Sequence, residues 1–439
     1  MTEHETIFTY GAPQLKIGAG AADEVGYDLH DHGVRRALVL TDRGVAATGA
    51  PTRVAGVLRT AGVEADVFDG VRVEPTDASM RQAVDAARDG GPWDGFVAVG
   101  GGSTIDTAKV VNLLSTNDGD LLDYVNRPIG GGRAPARPLK PLVAVPTTTG
   151  TGSESTTIAV LDVLAAKVKT GISHPRLRPT LAVVDPLLTL TQPPLVTASS
   201  GLDVLCHALE SWTAKPYTAY ERKRPDQRVP YCGANPVSDL WSEHALGLLA
   251  RALRRAVADG EDVQARTDLA MAATFAGMGF GNAGVHIPHA NAYPIAGRVR
   301  GFRPPGYPQE EPLVPHGMAV ALTAPESFRF TFEADPARHL RAAVLLAAAE
   351  QSPDVDRSDD DPSDDDRSDA DRERLPASLI ALMRDVGLPN GLAAVGYTQG
   401  DVEDLVPGAW QQQRLLTTAP LPVTEEDLAR ILARSLTLW

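Results

Sequence analysis

The sequence predicts an α/β chain in two parts: a Rossmann-like parallel-sheet domain over residues 1–193, then an all-helical domain over 194–439. Three observations point there. Apolar β-type runs recur up to Asp185, with helix-like stretches between them. Those runs stop at Pro193-Pro194. Ala/Leu-rich helical patterns fill the remainder.

In chain order, strands are expected at 37–41, 65–68, 96–100, 142–146 and 181–185, and helices at 51–61, 76–88 and 103–114. Strands alternating with helices argue for a parallel sheet covered on both faces. Ligands bind such sheets at the carboxyl ends of the strands. In the second half, helices are expected at 204–212, 239–258, 263–278 and 377–386. Residues 352–374 are dominated by Asp with interspersed Arg and Ser, too polar to bury a core, and are expected to form an unstructured acidic insertion. No internal repeat shows at periods of 20–50 residues.

Composition narrows the function. The 439 residues carry a net charge of −15, which argues against non-specific binding to nucleic acid or an anionic membrane. An anionic substrate would need a local cationic pocket, for which Arg298, Arg300 and Arg303 are candidates unless they form a solvated loop. Two cysteines, Cys206 and Cys232, exclude a disulfide framework, and Cys206 suits packing. The first residues lack a basic, apolar leader pattern, and no run approaches a membrane span, so a cytoplasmic location is expected.

Two segments suit a nucleotide. Gly100-Gly101-Gly102-Ser103 follows an apolar run and precedes a helical pattern. Glycines let backbone approach a pyrophosphate, and a helix N-terminus favours the anion. The spacing is not G-x-G-x-x-G, and Ser103 with Asp106 could instead form a variant capping box. Residues 146–154, PTTTGTGSE, gather five hydroxyls and two glycines, fit to grip ribose and pyrophosphate or to cap a helix. Asp42 ends an apolar run, where a carboxylate accepts from a ribose 2′-hydroxyl and repels a 2′-phosphate, favouring NAD over NADP.

Two further segments suit a metal. Asp203 and His207 stand four apart in a Pro-free run, so one helical face would present both. His286, His289 and His316 follow, with His286 and His289 competing at a spacing of three. One carboxylate with two or three imidazoles suits a divalent first-row metal. A metal beside a nucleotide suggests metal-assisted redox chemistry, with the metal a Lewis acid on the substrate oxygen. The other histidines, at 4, 30, 32, 174, 244 and 339, are expected to be surface or core residues.

The segments GGGSTIDTAK, PTTTGTGSES, GLDVLCHALES and PHG together resemble the iron-dependent (group III) alcohol dehydrogenases. Residues 71–77 (VRVEPTD), 275–297, 312–328 and 391–398 are most similar to the hydroxyacid-oxoacid transhydrogenase branch. The resemblance implies an architecture shared with dehydroquinate synthase, whose own metal set has Glu where this chain has Asp203. It implies Asp203, His207, His289 and His316 as ligands to Fe(II) or Zn(II). Implied contacts to a tightly bound NAD(H) are Asp42, Gly101, Gly102, Ser103, Asp106, Thr147, Thr148, Thr151 and Lys169. Tyr293 stands where many members carry a second histidine four residues after the third ligand, so Tyr293 and His286 are the catalytic candidates. The implied reaction oxidises 4-hydroxybutyrate while reducing 2-oxoglutarate, in a homo-oligomer. An NAD-linked alcohol dehydrogenase that releases NADH is the alternative.

Overall fold

Eight strands are present in the computed structural model, which describes residues 4–166, 168–347 and 364–439. They are β1 Gln14–Ile17, β2 Arg36–Asp42, β3 Glu64–Val71, β4 Gly95–Gly100, β5 Leu142–Pro146, β6 Ile158–Val163, β7 Val168–Ser173 and β8 Leu181–Val184. Six form one sheet in the order β1-β8-β5-β4-β2-β3. All its pairings are parallel, with Val39 opposite Val97 and Val97 opposite Val143. Alternate side chains point to opposite faces. Val39, Val97, Val99, Val143 and Val145 join one core with Val25, Leu29, Val54 and Leu58. Leu38, Leu40, Phe96, Ala98 and Leu142 join the other with Met80, Val84, Ile105 and Val111. Burial on both faces explains why these strands read as continuous apolar runs.

The chain runs from β2 out to β3, then back across β2 to β4. Strand order therefore reverses between β2 and β4, where a ligand crevice is expected at the carboxyl ends. Asp42 ends β2 and Gly100 ends β4.

Two elements escaped the sequence pattern. Strand β1 has four residues and none is buried. The β6/β7 hairpin is antiparallel and stands outside the main sheet.

The chain divides into two compact units, one covering Gly11–Gln192 and the other Pro193–Trp439 with the residues up to Tyr10. The start of the chain, assigned to the α/β part by sequence, thus sits with the helical unit. Glu5 is the reason: its N–H donates to Tyr220 O at 2.9 Å, and its carboxylate accepts from Lys223 N at 3.0 Å and Arg228 Nη2 at 3.3 Å.

The helical unit is built on Pro194–Thr213, Pro236–Ala258 and Val263–Ala283, which pack on one another. Proline opens the first two helices, where its missing N–H costs no bond. Asn235 Oδ1 caps the second, accepting from Ser238 N at 3.0 Å. The expected acidic insertion lies partly outside the described residues, over 352–363. From Asp364 the expectation fails, because a helix runs Asp364–Asp385. Its charges find partners: Glu373 accepts from Arg329 Nε at 2.6 Å, and Arg372 Nη2 donates to Glu333 at 2.5 Å.

Candidate active site

Gly101 is the N-cap of the Gly102–Thr116 helix, so Ser103 lies inside the first turn and does not cap it. The glycine turn rests against the threonine-rich loop. A Cβ on Gly102 would meet Thr151 Cγ2 and Oγ1 at 2.6 Å, and one on Gly101 would meet Thr148 Oγ1 at 3.1 Å. Only glycine permits this approach. Thr147 N donates to Gly100 O at 3.1 Å, while the Thr147 and Thr149 hydroxyls are buried without a hydrogen-bond partner. Buried polar groups are seldom left unpaired. Open hydroxyls beside bare backbone at a helix N-terminus fit a phosphate-bearing ligand.

The other nucleotide candidates are engaged within the α/β unit. Asp42 Oδ1 caps the Arg43–Ala46 helix by accepting from Val45 N at 3.0 Å, and Oδ2 accepts from Thr104 Oγ1 at 3.4 Å. Ser103 Oγ accepts from Glu74 N at 3.1 Å. Asp106 is taken up by the fold: Oδ2 accepts from Val160 N at 2.9 Å and Oδ1 pairs with the Ser153 hydroxyl. Lys109, fully buried, also reaches Ser153 Oγ at 2.9 Å, Thr156 Oγ1 at 3.0 Å and Ile158 O at 2.7 Å. Burial pushes its pKa down, with Asp106 opposing. Lys169 pairs with Glu74 and lies 3.6 Å from Asp162 Oδ2.

In the helical unit, Asp203, His207 and Glu210 share one face of the Pro194–Thr213 helix. The ligand atoms of Asp203, His289 and His316 all lie within 4.8 Å of one another. Asp203 Oδ1 is 3.5 Å from His289 Nε2 and 3.8 Å from His207 Nε2. His207 is therefore at the edge of the cluster, its ring stacked on Phe280 at 3.9 Å and on His289 at 4.5 Å. His316 begins the His316–Ala321 helix, held close by Gly317, where a Cβ would fall 2.3 Å from Ser199 O.

Glu210 is the residue the sequence pattern quoted without a role. It is fully buried, and its carboxylate accepts from His289 Nδ1 and from the His286 N–H, each at 2.5 Å. A bond at Nδ1 fixes the His289 ring and leaves Nε2 facing Asp203. Asp203 Oδ1 and His289 Nε2 are both buried without a hydrogen-bond partner. A carboxylate and an imidazole nitrogen converging this way suit a cation, with Glu210 as the outer carboxylate that orients a ligating histidine. Its spacing was the available signal: seven residues after Asp203 and three after His207.

The charges agree. Burial alone would raise the Asp203 pKa, but His207, His316 and His289 hold it below the usual carboxylate range. Burial drives His207 down to about 3, leaving a neutral imidazole able to ligate. For His289 burial opposes the cation, yet Glu210 and Asp203 lift it to about 9, so a metal binding at Nε2 would displace a proton. Burial pushes the Cys206 thiol well up, consistent with packing.

His286 is fully buried, with Nε2 3.0 Å from Thr213 Oγ1. That hydroxyl donates to Leu209 O at 2.7 Å, so Nε2 must be the donor and Nδ1 the open acceptor. Burial lowers its pKa to about 4. Tyr293 lies one turn beyond His289, its ring centroid 6.3 Å from that of His316. The arginine trio is engaged elsewhere: Arg298 lies 3.7 Å from Asp404, Arg300 pairs with Asp401, and Arg303 Nε donates to Gln309 O at 3.1 Å. They form a paired surface loop.

A buried carboxylate-imidazole cluster in one unit and a glycine-threonine cradle in the other are features that suit a metal-dependent oxidoreductase. Comparison with known proteins agrees. The model of iron-containing alcohol dehydrogenase matches residues 12–186, and that of the Fe-containing alcohol dehydrogenase C-terminal family matches 230–436. The chain belongs to the iron-containing alcohol dehydrogenase family. It is 44% identical over 435 residues to a mitochondrial hydroxyacid-oxoacid transhydrogenase of Bos taurus, covering 98% of this chain and 90% of that protein. A crystal structure of a 1,3-propanediol oxidoreductase superposes with a TM-score of 0.82 at 31% identity, over 98% of this chain and 100% of the other. A sulfoacetaldehyde reductase from Bifidobacterium kashiwanohense, solved in complex with NAD+, shares the fold with a TM-score of 0.78 at 24% identity, over 97% of this chain and 98% of the other.

The expectation of a cytoplasmic location is overturned. The Bos taurus relative is mitochondrial by name, and the composition features behind that expectation do not discriminate compartments. Among the described residues no helix is long and apolar enough to cross a membrane.

Proposed function

We propose that the chain is a hydroxyacid-oxoacid transhydrogenase. One half-reaction would oxidise 4-hydroxybutyrate to succinate semialdehyde, and the other would reduce 2-oxoglutarate to 2-hydroxyglutarate, with one tightly bound NAD(H) serving both. The observation that carries this is the 44% identity, across nearly the whole chain, to a protein of that name.

A divalent iron or zinc ion, when bound, would polarise the substrate oxygen, and the nicotinamide would accept or return hydride. Asp203, His207, His289 and His316 would hold the ion, with Glu210 keeping His289 Nε2 presented to it. Asp203 would offset part of the ionic charge. His286 Nδ1 and the Tyr293 hydroxyl are the groups proposed to handle the proton that leaves the substrate hydroxyl on oxidation and returns on reduction. Burial of this cluster limits competing water. In the α/β unit, Gly101, Gly102, Ser103, Thr147, Thr148 and Thr151 would hold the pyrophosphate, with Lys169 adding a positive charge. The second Asp42 oxygen would serve the ribose 2′-hydroxyl and disfavour NADP. Self-association as a dimer or larger belongs to the same proposal and is checked by light scattering.

The test omits added nucleotide. Purified protein given 4-hydroxybutyrate and 2-oxoglutarate should form succinate semialdehyde and 2-hydroxyglutarate in equal amounts. Mass analysis should find retained nicotinamide, and chelation should abolish exchange until metal is restored. Turnover only with added NAD, accumulating free NADH, would support the second reading, an NAD-dependent alcohol dehydrogenase. The 31% identity to a 1,3-propanediol oxidoreductase favours that alternative.

A further inference from the structure

Residues 71–77, Val-Arg-Val-Glu-Pro-Thr-Asp, take no part in the chemistry above. Among the described residues, Glu74 is the only one other than glycine in the left-handed region, with φ at 55°. A long side chain persists there only where its surroundings over-determine it, and such outliers gather at functional sites. Glu74 is fixed at both ends. Its N–H donates to Ser103 Oγ at 3.1 Å, in the first turn of the glycine-turn helix. Its carboxylate pairs with Lys169 on β7. The next residues are pinned too: Pro75 O accepts from Asp162 N at 2.9 Å, and Thr76 caps the Asp77–Gly90 helix.

Lys169 is already well supplied with negative charge. Its side chain is 4% exposed, and Asp162 Oδ2 stands 3.6 Å from Nζ in addition to the Glu74 carboxylate. Arg72 adds a positive charge near Asp162. A pyrophosphate entering beside Ser103 would thus lie next to Glu74, whose N–H is bound to Ser103 Oγ, and would find the Lys169 ammonium already paired to the Glu74 carboxylate. Carboxylates that share the lysine disfavour the approach of a further anion.

We infer that Glu74 sets the affinity for the dinucleotide: it holds Lys169 in an ion pair that the cofactor's pyrophosphate must share or displace. This role rests on the nucleotide site proposed above. It makes an unusual demand, because removing a side chain that supports the fold should tighten binding.

The experiment first removes retained nucleotide from the full-length protein, checked by mass analysis, and then titrates it with NADH, read by nucleotide fluorescence, for wild type, E74Q, K169M and the double variant. E74Q should lower the Kd for NADH roughly fivefold, the scale of a modest partly buried charge pair. The gain should shrink at high salt and in the K169M background. Inorganic pyrophosphate should displace NADH at lower concentration from E74Q than from wild type. If E74Q fails to fold, E74G removes the carboxylate while accepting the backbone angle, and the same tightening is expected. Unchanged or weaker NADH binding by the folded variant overturns the inference, as does an equal gain in K169M. Wild type that binds no NADH would overturn the nucleotide site itself, a result distinct from either.

Discussion

Glu210→Gln tests the proposed metal centre without touching a proposed ligand. In the wild type, the Glu210 carboxylate accepts from both His289 Nδ1 and the His286 N–H, in full burial. Glutamine keeps the shape and one acceptor oxygen, but its NH2 group faces the other donor. His289 then loses the charge that fixes its tautomer and ring. Outer carboxylates of this kind contribute about 10–100-fold in metal affinity, or about 1.4–2.8 kcal/mol. The stranded buried donor costs a further ~1–3 kcal/mol in fold stability. Metal affinity is measured by competition with a graded chelator, and stability by thermal melting of the metal-free protein. E210Q should show both losses, while E210A should lose more stability because it also leaves a void. E210Q that holds metal as tightly as wild type would refute the assignment of Glu210 as the group orienting His289.

Three other outcomes are expected. His289→Ala and His316→Ala should each remove bound metal, read by elemental analysis, and hydride transfer together; activity that survives with the metal gone would refute metal chemistry. Gly102→Ala drives a Cβ to within 2.6 Å of Thr151, so NADH affinity should fall while metal content is unchanged, and overpacking should lower stability by about 1–3 kcal/mol. The Glu5 carboxyl is held down at about 2, chiefly by the Lys223 N–H, with burial opposing and Ile7 N–H and Arg228 assisting. A depressed carboxyl stabilises fully above its unfolded pKa and loses that contribution as pH falls towards the folded value. Glu5→Gln should therefore reduce the loss of melting temperature between pH 5 and pH 2; an unchanged acid slope would show that Glu5 is not held down.

Most of the sheet was legible because β2, β4, β5 and β8 are buried on both faces, and such strands write themselves as Val/Ala/Leu runs. Strand β1 was not legible: four half-covered residues carry no period. The Asp364–Asp385 helix was misread because its first residues look like a polyelectrolyte, while pairing such as Arg329 with Glu373 depends on partners distant in sequence. Legibility of the site divides along the same line. Asp203 and His207 share a helix, so their convergence follows from spacing alone. His289 and His316 arrive from other helices, and nothing local to the sequence says that Gly317 allows the His316–Ala321 helix to close on Ser199.

His286 and His289 illustrate what spacing cannot decide. Three apart, they are equivalent by pattern, yet Glu210 treats them differently: it takes the ring of one and the backbone of the other. The histidine whose ring is oriented presents Nε2 to Asp203, and the other turns Nε2 to Thr213. A single buried carboxylate thereby separates an imidazole that faces Asp203 from one that keeps a neutral acceptor nitrogen. The division follows from donor counting. The Thr213 hydrogen is committed to Leu209 O, so the His286 proton must sit on Nε2 and the lone pair on Nδ1. Serine at 213 would preserve that tautomer, whereas valine would release it. Nitrogen NMR shifts of the His286 ring distinguish the two states, and an unchanged tautomer in Thr213→Val would show that the hydroxyl does not set it.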